Sequence, residues 1–209
     1  MPTLLHVDSS PLGDASVSRS LSSEFVKSWR EANPGGKIIT RDLSRTSLSP
    51  IDAQWIQAVY TPVDSRSAAQ RELLAASDSL IAELQEADEY VFGVPMHNFA
   101  VPSVLKLWID QVVRAGSTFS YESGTPQGLL GGKRATFIVA SGFVYGADSA
   151  MASFNFVEPY LRTIFGFVGV IDTNFVSAAG AAVLMRGTVD RNTFLQPHVE
   201  SIRAQFAAV

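Results

Sequence analysis

Hydrophobic positions follow two alternating periods along this chain. Short apolar runs at Thr3–Val7, Lys37–Thr40, Tyr90–Val94, Ala135–Ala140 and Val168–Val176 are each bounded by turn-forming or polar residues. Runs of that length predict strands buried on both faces. Between them apolar residues recur at three- and four-residue spacing, which predicts helices over about 18–32, 65–86, 102–114, 151–165 and 190–206. The first helix carries Leu21, Phe25, Val26 and Trp29 on its apolar face, with Ser18 as N-cap and Asn33-Pro34-Gly35-Gly36 as its stop. Pro102 suits a first helical turn, and Leu105, Trp108, Ile109, Val112 and Val113 form the buried face behind it. On the opposite face Lys106, Asp110 and Arg114 lie four apart and are expected to pair. A short helix is expected near 51–60, a short strand at 118–121 and a loop at 124–132.

Strands alternating with helices predict an α/β fold: one doubly wound five-stranded parallel sheet in a single domain, residues 1–209. No repeat or linker interrupts it. Such sheets bind ligands beyond the carboxyl ends of the strands, where strand order reverses. Function is therefore expected in the loops after Val7, Val94 and Ala140.

Composition narrows the chemistry. A net charge of −4 with no basic cluster argues against nucleic acid and anionic membranes as partners. The absence of cysteine excludes disulfides, thiolate metal sites and thiol nucleophiles. His6, His97 and His198 are too scattered for a zinc site. With no basic leader and no long apolar segment, neither a signal peptide nor a membrane span is expected, and the location is taken as cytoplasmic.

The first loop, Asp8 to Arg19, is rich in serine and leads straight into a helix. A helix N-terminus offers free N–H groups and partial positive charge to a phosphate, and Ser10, Ser16 and Ser18 would add hydroxyls. An ordinary capped loop has the same composition. Neither Gly-x-Gly-x-x-Gly nor a Walker-type glycine-lysine loop is present, which points away from dinucleotide and nucleotide triphosphate sites toward a monophosphate. The loop after the third strand, Pro95-Met96-His97-Asn98-Phe99, joins apolar side chains to an amide and an imidazole. That mixture suits a flavin ring, which needs an apolar surface and polar groups at its edge. Core packing for Met96 and Phe99 and a turn role for Asn98 are the plain alternatives.

Taken together, Ser9-Ser10, Ser16-Val17-Ser18, Pro95-Met96-x-Asn98-Phe99, the stretch Pro102–Gly116 and Thr118-Phe119-x-Tyr121 resemble the FMN-dependent NADH:azoreductases, also called NADH:quinone oxidoreductases, of the flavodoxin-like superfamily. The resemblance extends through Pro159-Tyr160-Leu161 and Gly166–Gly169. It implies strand order 2-1-3-4-5, one FMN per subunit, and a homodimer with its FMN sites at the interface. It implies reduction of quinones and azo compounds by NADH or NADPH in a ping-pong, two-electron hydride transfer. By position, Ser10, Ser16, Val17 and Ser18 would hold the phosphate, and Pro95, Met96, His97, Asn98 and Phe99 the ring. Ser141, Gly142, Phe143 and Val144 would approach the pyrimidine edge. Asn98 would orient the ring; Phe99 and Tyr121 would wall the acceptor cavity, plain packing being the alternative for Tyr121.

Two departures from the family pattern stand out. His97 stands where the family usually has tyrosine, and Phe143-Val144 where it usually has two glycines. Other uses of the fold are a flavodoxin-type electron carrier, a phosphorylated receiver domain and a serine hydrolase. The last two lack their motifs: Gly93-Val94-Pro95 replaces an aspartate at the end of the third strand, and no Gly-x-Ser-x-Gly elbow occurs.

Overall fold

A computed structural model describes residues 1–207. Seven strands and seven α-helices follow one another as β1 (Thr3–Asp8), α1 (Val17–Ala32), β2 (Lys37–Asp42), α2 (Ala53–Tyr60), α3 (Ala68–Glu86), β3 (Glu89–Pro95), α4 (Ser103–Val112), β4 (Phe119–Ser120), β5 (Gln127–Gly128), β6 (Arg134–Ala140), α5 (Val157–Phe167), β7 (Asp172–Ala178), α6 (Ala182–Met185) and α7 (Arg191–Ala204). Strands β2-β1-β3-β6-β7 form one parallel sheet, which is the 2-1-3-4-5 order of a flavodoxin-like fold when only its five strands are numbered. Strands β4 and β5 make a small separate antiparallel hairpin. No helix among the described residues is long and apolar enough to cross a membrane.

The all-apolar strands are explained by the two layers they separate. Successive side chains of a strand point to opposite faces. Leu5 and Val7 of β1, Tyr90, Phe92 and Val94 of β3, and Phe137 of β6 pack under α3, α4 and α5. Leu4, Val91 and Ile138, on the other face, pack under α1 and α7 with Phe25, Trp29 and Ile202. Phe92 stacks on Phe137 at 5.1 Å and meets Trp108 and Phe165 edge-on at 5.5 and 5.1 Å. Burying each such ring contributes about 2–3 kcal/mol, so the strand that leads into Pro95 is held in a rigid bed.

Three expectations change. Val168–Val170 is a turn rather than the start of the last strand. Gly169 has φ +102°, Val170 N–H donates to the Phe165 carbonyl at 2.8 Å, and β7 begins at Asp172. The helix expected from Met151 begins at Val157, after a single 3-10 turn at Ala152–Phe154. The surface row Lys106–Asp110–Arg114 is only half realised. Lys106 pairs with Asp110 at 2.6 Å, but α4 ends at Val112, and Arg114 turns inward to Ser77 and Asp78 at 2.7 and 2.6 Å.

Candidate functional site

The chain leaves β1 toward β2 on one side and returns to β3 on the other, so the loops after β1 and β3 diverge. A cleft of ≈ 430 Å³ opens there, at the carboxyl ends of β1, β3 and β6. Its floor is stitched strand by strand. Ser9 donates through its N–H and its hydroxyl to the Gly93 carbonyl, at 3.1 and 2.9 Å. Met96 N–H donates to Ala140 at 2.7 Å, and Ser141 N–H to Ala178 at 3.2 Å.

One end of the cleft is built for an anion. Ser10, Ser16, Val17 and Ser18 line it, and the three serines are buried. Ser16 caps α1 by accepting from Arg19 N–H at 3.2 Å, and its hydroxyl lies 3.2 Å from that of Ser18. The amides of Val17 and Ser18, in the first turn of α1, have no protein acceptor among the described residues. Arg19 braces the loop from behind. It donates to the Ser10 carbonyl at 2.7 Å and, through both terminal nitrogens, to Asp42 at 3.0 and 2.9 Å. That fork holds the Asp42 carboxyl down at about 2.

The middle of the cleft is apolar and partly buried where Pro95 and Met96 enter it; His97 stands exposed at its edge. The next residues make a tight turn. His97 and Ala100 exchange backbone hydrogen bonds at 3.0 Å each, and both central residues have positive φ, 47° at Asn98 and 70° at Phe99. A two-residue turn of that hand demands φ > 0 twice, which asparagine tolerates and phenylalanine resists. Backbone strain of this kind concentrates at functional sites. The turn leaves the Asn98 and Phe99 amides without protein acceptors among the described residues. Neither side chain lines the cleft; the Phe99 ring leans on Phe154 and Tyr145, at 5.2 and 6.2 Å between centroids.

At the far wall Ser141 and Gly142 line the cleft, while Phe143 and Val144 point outward, half exposed. The Ser141 and Gly142 carbonyls accept from the Ala181 and Ala182 amides at 2.9 and 3.1 Å, and the Phe143 carbonyl accepts the Ser141 hydroxyl at 2.8 Å. With those carbonyls engaged, the amides of Gly142, Phe143 and Val144 have no protein acceptor among the described residues. Neither Phe143 nor Val144 needs positive φ, so the loop forms without the glycines usual at these positions. Tyr121 is separate: it sits on the β4–β5 hairpin, exposed and edge-on to Phe119 at 5.4 Å, outside the cleft.

The residues present therefore fit a flavin mononucleotide, with buried hydroxyls and free amides at one end, an apolar centre and a second row of free amides opposite. Sequence reasoning missed the α6 segment and Arg191, both of which line the cleft. Arg191 lies 176 residues from the loop it touches, so no local pattern announces it.

Comparison with known proteins agrees with this geometry. Residues 2–205 match the family described as having a flavodoxin-like fold, and the chain belongs to it. It is 52% identical over 204 residues to "FMN-dependent NADH:quinone oxidoreductase 3" of Burkholderia lata, covering 98% of this chain and 99% of that protein. Two azoreductase structures from Bacillus anthracis superpose closely. One, from strain Sterne, gives a TM-score of 0.88 at 25% identity over the full length of both chains. The other, an FMN-dependent NADH-azoreductase in complex with FMN, gives 0.85 at 26% identity over 98% of each. Within the flavodoxin-like proteins, then, the chain is a member of the NADH:quinone oxidoreductase and azoreductase family.

Proposed function

We propose that this chain is an FMN-dependent oxidoreductase that uses NADH to reduce quinones and azo compounds. The observation that carries the reading is the cleft itself, which joins the buried serine end at α1 to the apolar Pro95–Met96 centre. FMN, when bound, supplies the two-electron hydride relay between donor and acceptor. The protein supplies position and electrostatics. Ser10, Ser16 and Ser18 bind the phosphate with the Val17 and Ser18 amides. Pro95, Met96 and His97 pack against the ring, and the backbone amides of Asn98 and Phe99 fix its edge. The amides of Gly142, Phe143 and Val144 donate to the pyrimidine side from a fixed loop, with little reorganisation required. An electron-carrier role is disfavoured by relatives named as enzymes that match nearly the whole chain.

Residues 1–209 act as one FMN-binding unit in the cytoplasm, and two copies form a homodimer. Exposed Phe99, Tyr121, Phe143, Val144, Phe154 and Phe156 support a second copy, since an apolar surface of this kind favours burial against a partner. Tyr121 does not line its own protomer's cleft, so its role as a wall of the acceptor cavity requires the partner.

The test is direct. The purified protein should release FMN on heating and oxidise NADH when menadione or methyl red is present. Colourless protein that takes up no added FMN, or flavin-loaded protein that leaves both acceptors unreduced, would overturn the proposal.

A further inference from the structure

Arg191, the first residue of α7, donates to the Ala15 and Ser16 carbonyls at 2.9 Å each, the Asp14 carbonyl at 3.2 Å and the Ser20 hydroxyl at 2.8 Å. It also lines the cleft beside Ser10, Ser16 and Ser18. Two consequences follow from chemistry. A guanidinium presents its donors in a rigid planar fork, so binding three successive carbonyls fixes the orientation of that backbone. With the carbonyls of residues 14–16 turned to Arg191 and that of Ser10 turned to Arg19, the hydroxyls and the α1 amides are left to face the cleft.

The second consequence concerns charge. Arg19 is matched by Asp42 and Asp8. Arg191 has no carboxylate partner among the described residues. It stands instead at the N-terminus of α1, where the helix dipole already places positive charge; at its own helix, α7, the N-cap carboxylate of Asp190 answers that end. A cation is disfavoured at such a position, and an anion bound at the start of α1 removes the penalty.

We infer that Arg191 is a cofactor-selecting residue: it orients the serine loop and supplies a positive charge, ion-paired to no carboxylate, that makes the cleft prefer the phosphorylated flavin, FMN, over riboflavin. This rests on the FMN reading above. Riboflavin carries the same ring without the phosphate, so the pair of ligands isolates the contribution of Arg191.

The experiment measures dissociation constants of the apoprotein for FMN and for riboflavin by flavin fluorescence quenching, in wild type, Arg191→Gln and Arg191→Lys. Thermal melting of each apoprotein is recorded alongside. In Arg191→Gln, FMN affinity should fall about ten-fold or more while riboflavin affinity stays within about two-fold. Arg191→Lys, which keeps the charge but loses the fork, should fall between. If Arg191→Gln does not fold, the FMN-specific loss must appear in Arg191→Lys. Equal losses for both ligands would reduce Arg191 to a structural tether and overturn the inference, as would an unchanged ratio. Wild-type protein that binds neither flavin would instead defeat the FMN reading itself.

Discussion

The Asp8 carboxylate fills the space that a side chain on Gly93 would need: a Cβ built there lies 2.3 Å from Asp8 Oδ1. The two residues face each other across β1 and β3, in register, directly beneath the cleft. Asp8 cannot retreat. It accepts the Ser22 hydroxyl at 2.7 Å and lies 3.2 Å from His6 Nε2 and 3.4 Å from an Arg19 nitrogen. A methyl group at position 93 would also press on the Ser22 hydroxyl and the Ser18 carbonyl, at 3.0 and 3.3 Å. Gly93→Ala should therefore destabilise the protein by ~1–3 kcal/mol through overpacking and weaken FMN binding through Ser18. Urea unfolding and flavin titration would show it; unchanged values for both would refute the rigidity claimed for this cluster.

The turn at Asn98-Phe99 separates a backbone role from a side-chain role. Asn98→Gly keeps φ > 0 accessible and the backbone amide in place, and removes a side chain that lies outside the cleft, so stability and flavin binding should both hold. Asn98→Ala removes the same side-chain amide but replaces asparagine, which tolerates the left-handed region, with a residue that resists it, adding a loss of about 1 kcal/mol in unfolding experiments. Equal stability for the two variants would contradict the turn geometry, and a loss of flavin binding in Asn98→Gly would show that the side chain, not the backbone, serves the site.

The Arg19–Asp42 fork gives a pH signature. Arg19 is the principal cause that lowers the Asp42 carboxyl from 3.8 to about 2. The folded state thus holds its proton off more strongly than the unfolded chain does. The associated stability is present above about pH 4 and disappears as pH falls toward 2. Asp42→Asn should lower stability at neutral pH, and the gap to wild type should close across that window. A gap that stays constant from pH 5 to pH 2 would show that the fork contributes no pH-dependent stability.

Much of this was legible in the chain. The central strands could be read because β1, β3 and β6 are buried on both faces, which a doubly covered sheet explains; the edge strands β2 and β7 are more polar and are placed by their alternation with helices. The serine loop and Pro95–Phe99 could be located because the fold rule places ligands at strand ends. What escaped has physical reasons. Val168–Val170 is as apolar as a strand, but Gly169 closes α5 in the left-handed region, a choice that periodicity does not record. Arg114 sits at surface spacing, yet its helix stops two residues earlier and Asp78 waits on α3. Arg191 meets the serine loop only after the chain has crossed the whole sheet.

His97 is where this chain should differ from its relatives in the acceptors it prefers. The imidazole is exposed at the cleft edge and makes no hydrogen bond among the described residues, while its backbone is fixed by the exchange with Ala100. A substitution there changes the cavity wall without disturbing the turn. His97→Tyr, which installs the residue usual in the resembling family, should leave unfolding stability and FMN affinity nearly unchanged. It should shift the ratio of kcat/KM between a quinone and an azo dye by up to about ten-fold, the scale on which one altered pocket contact discriminates substrates. Steady-state rates for a panel of quinones and azo compounds would measure this. An unchanged ranking across the panel would show that the acceptor cavity is set elsewhere, with Phe143 and Val144 the next side chains to exchange.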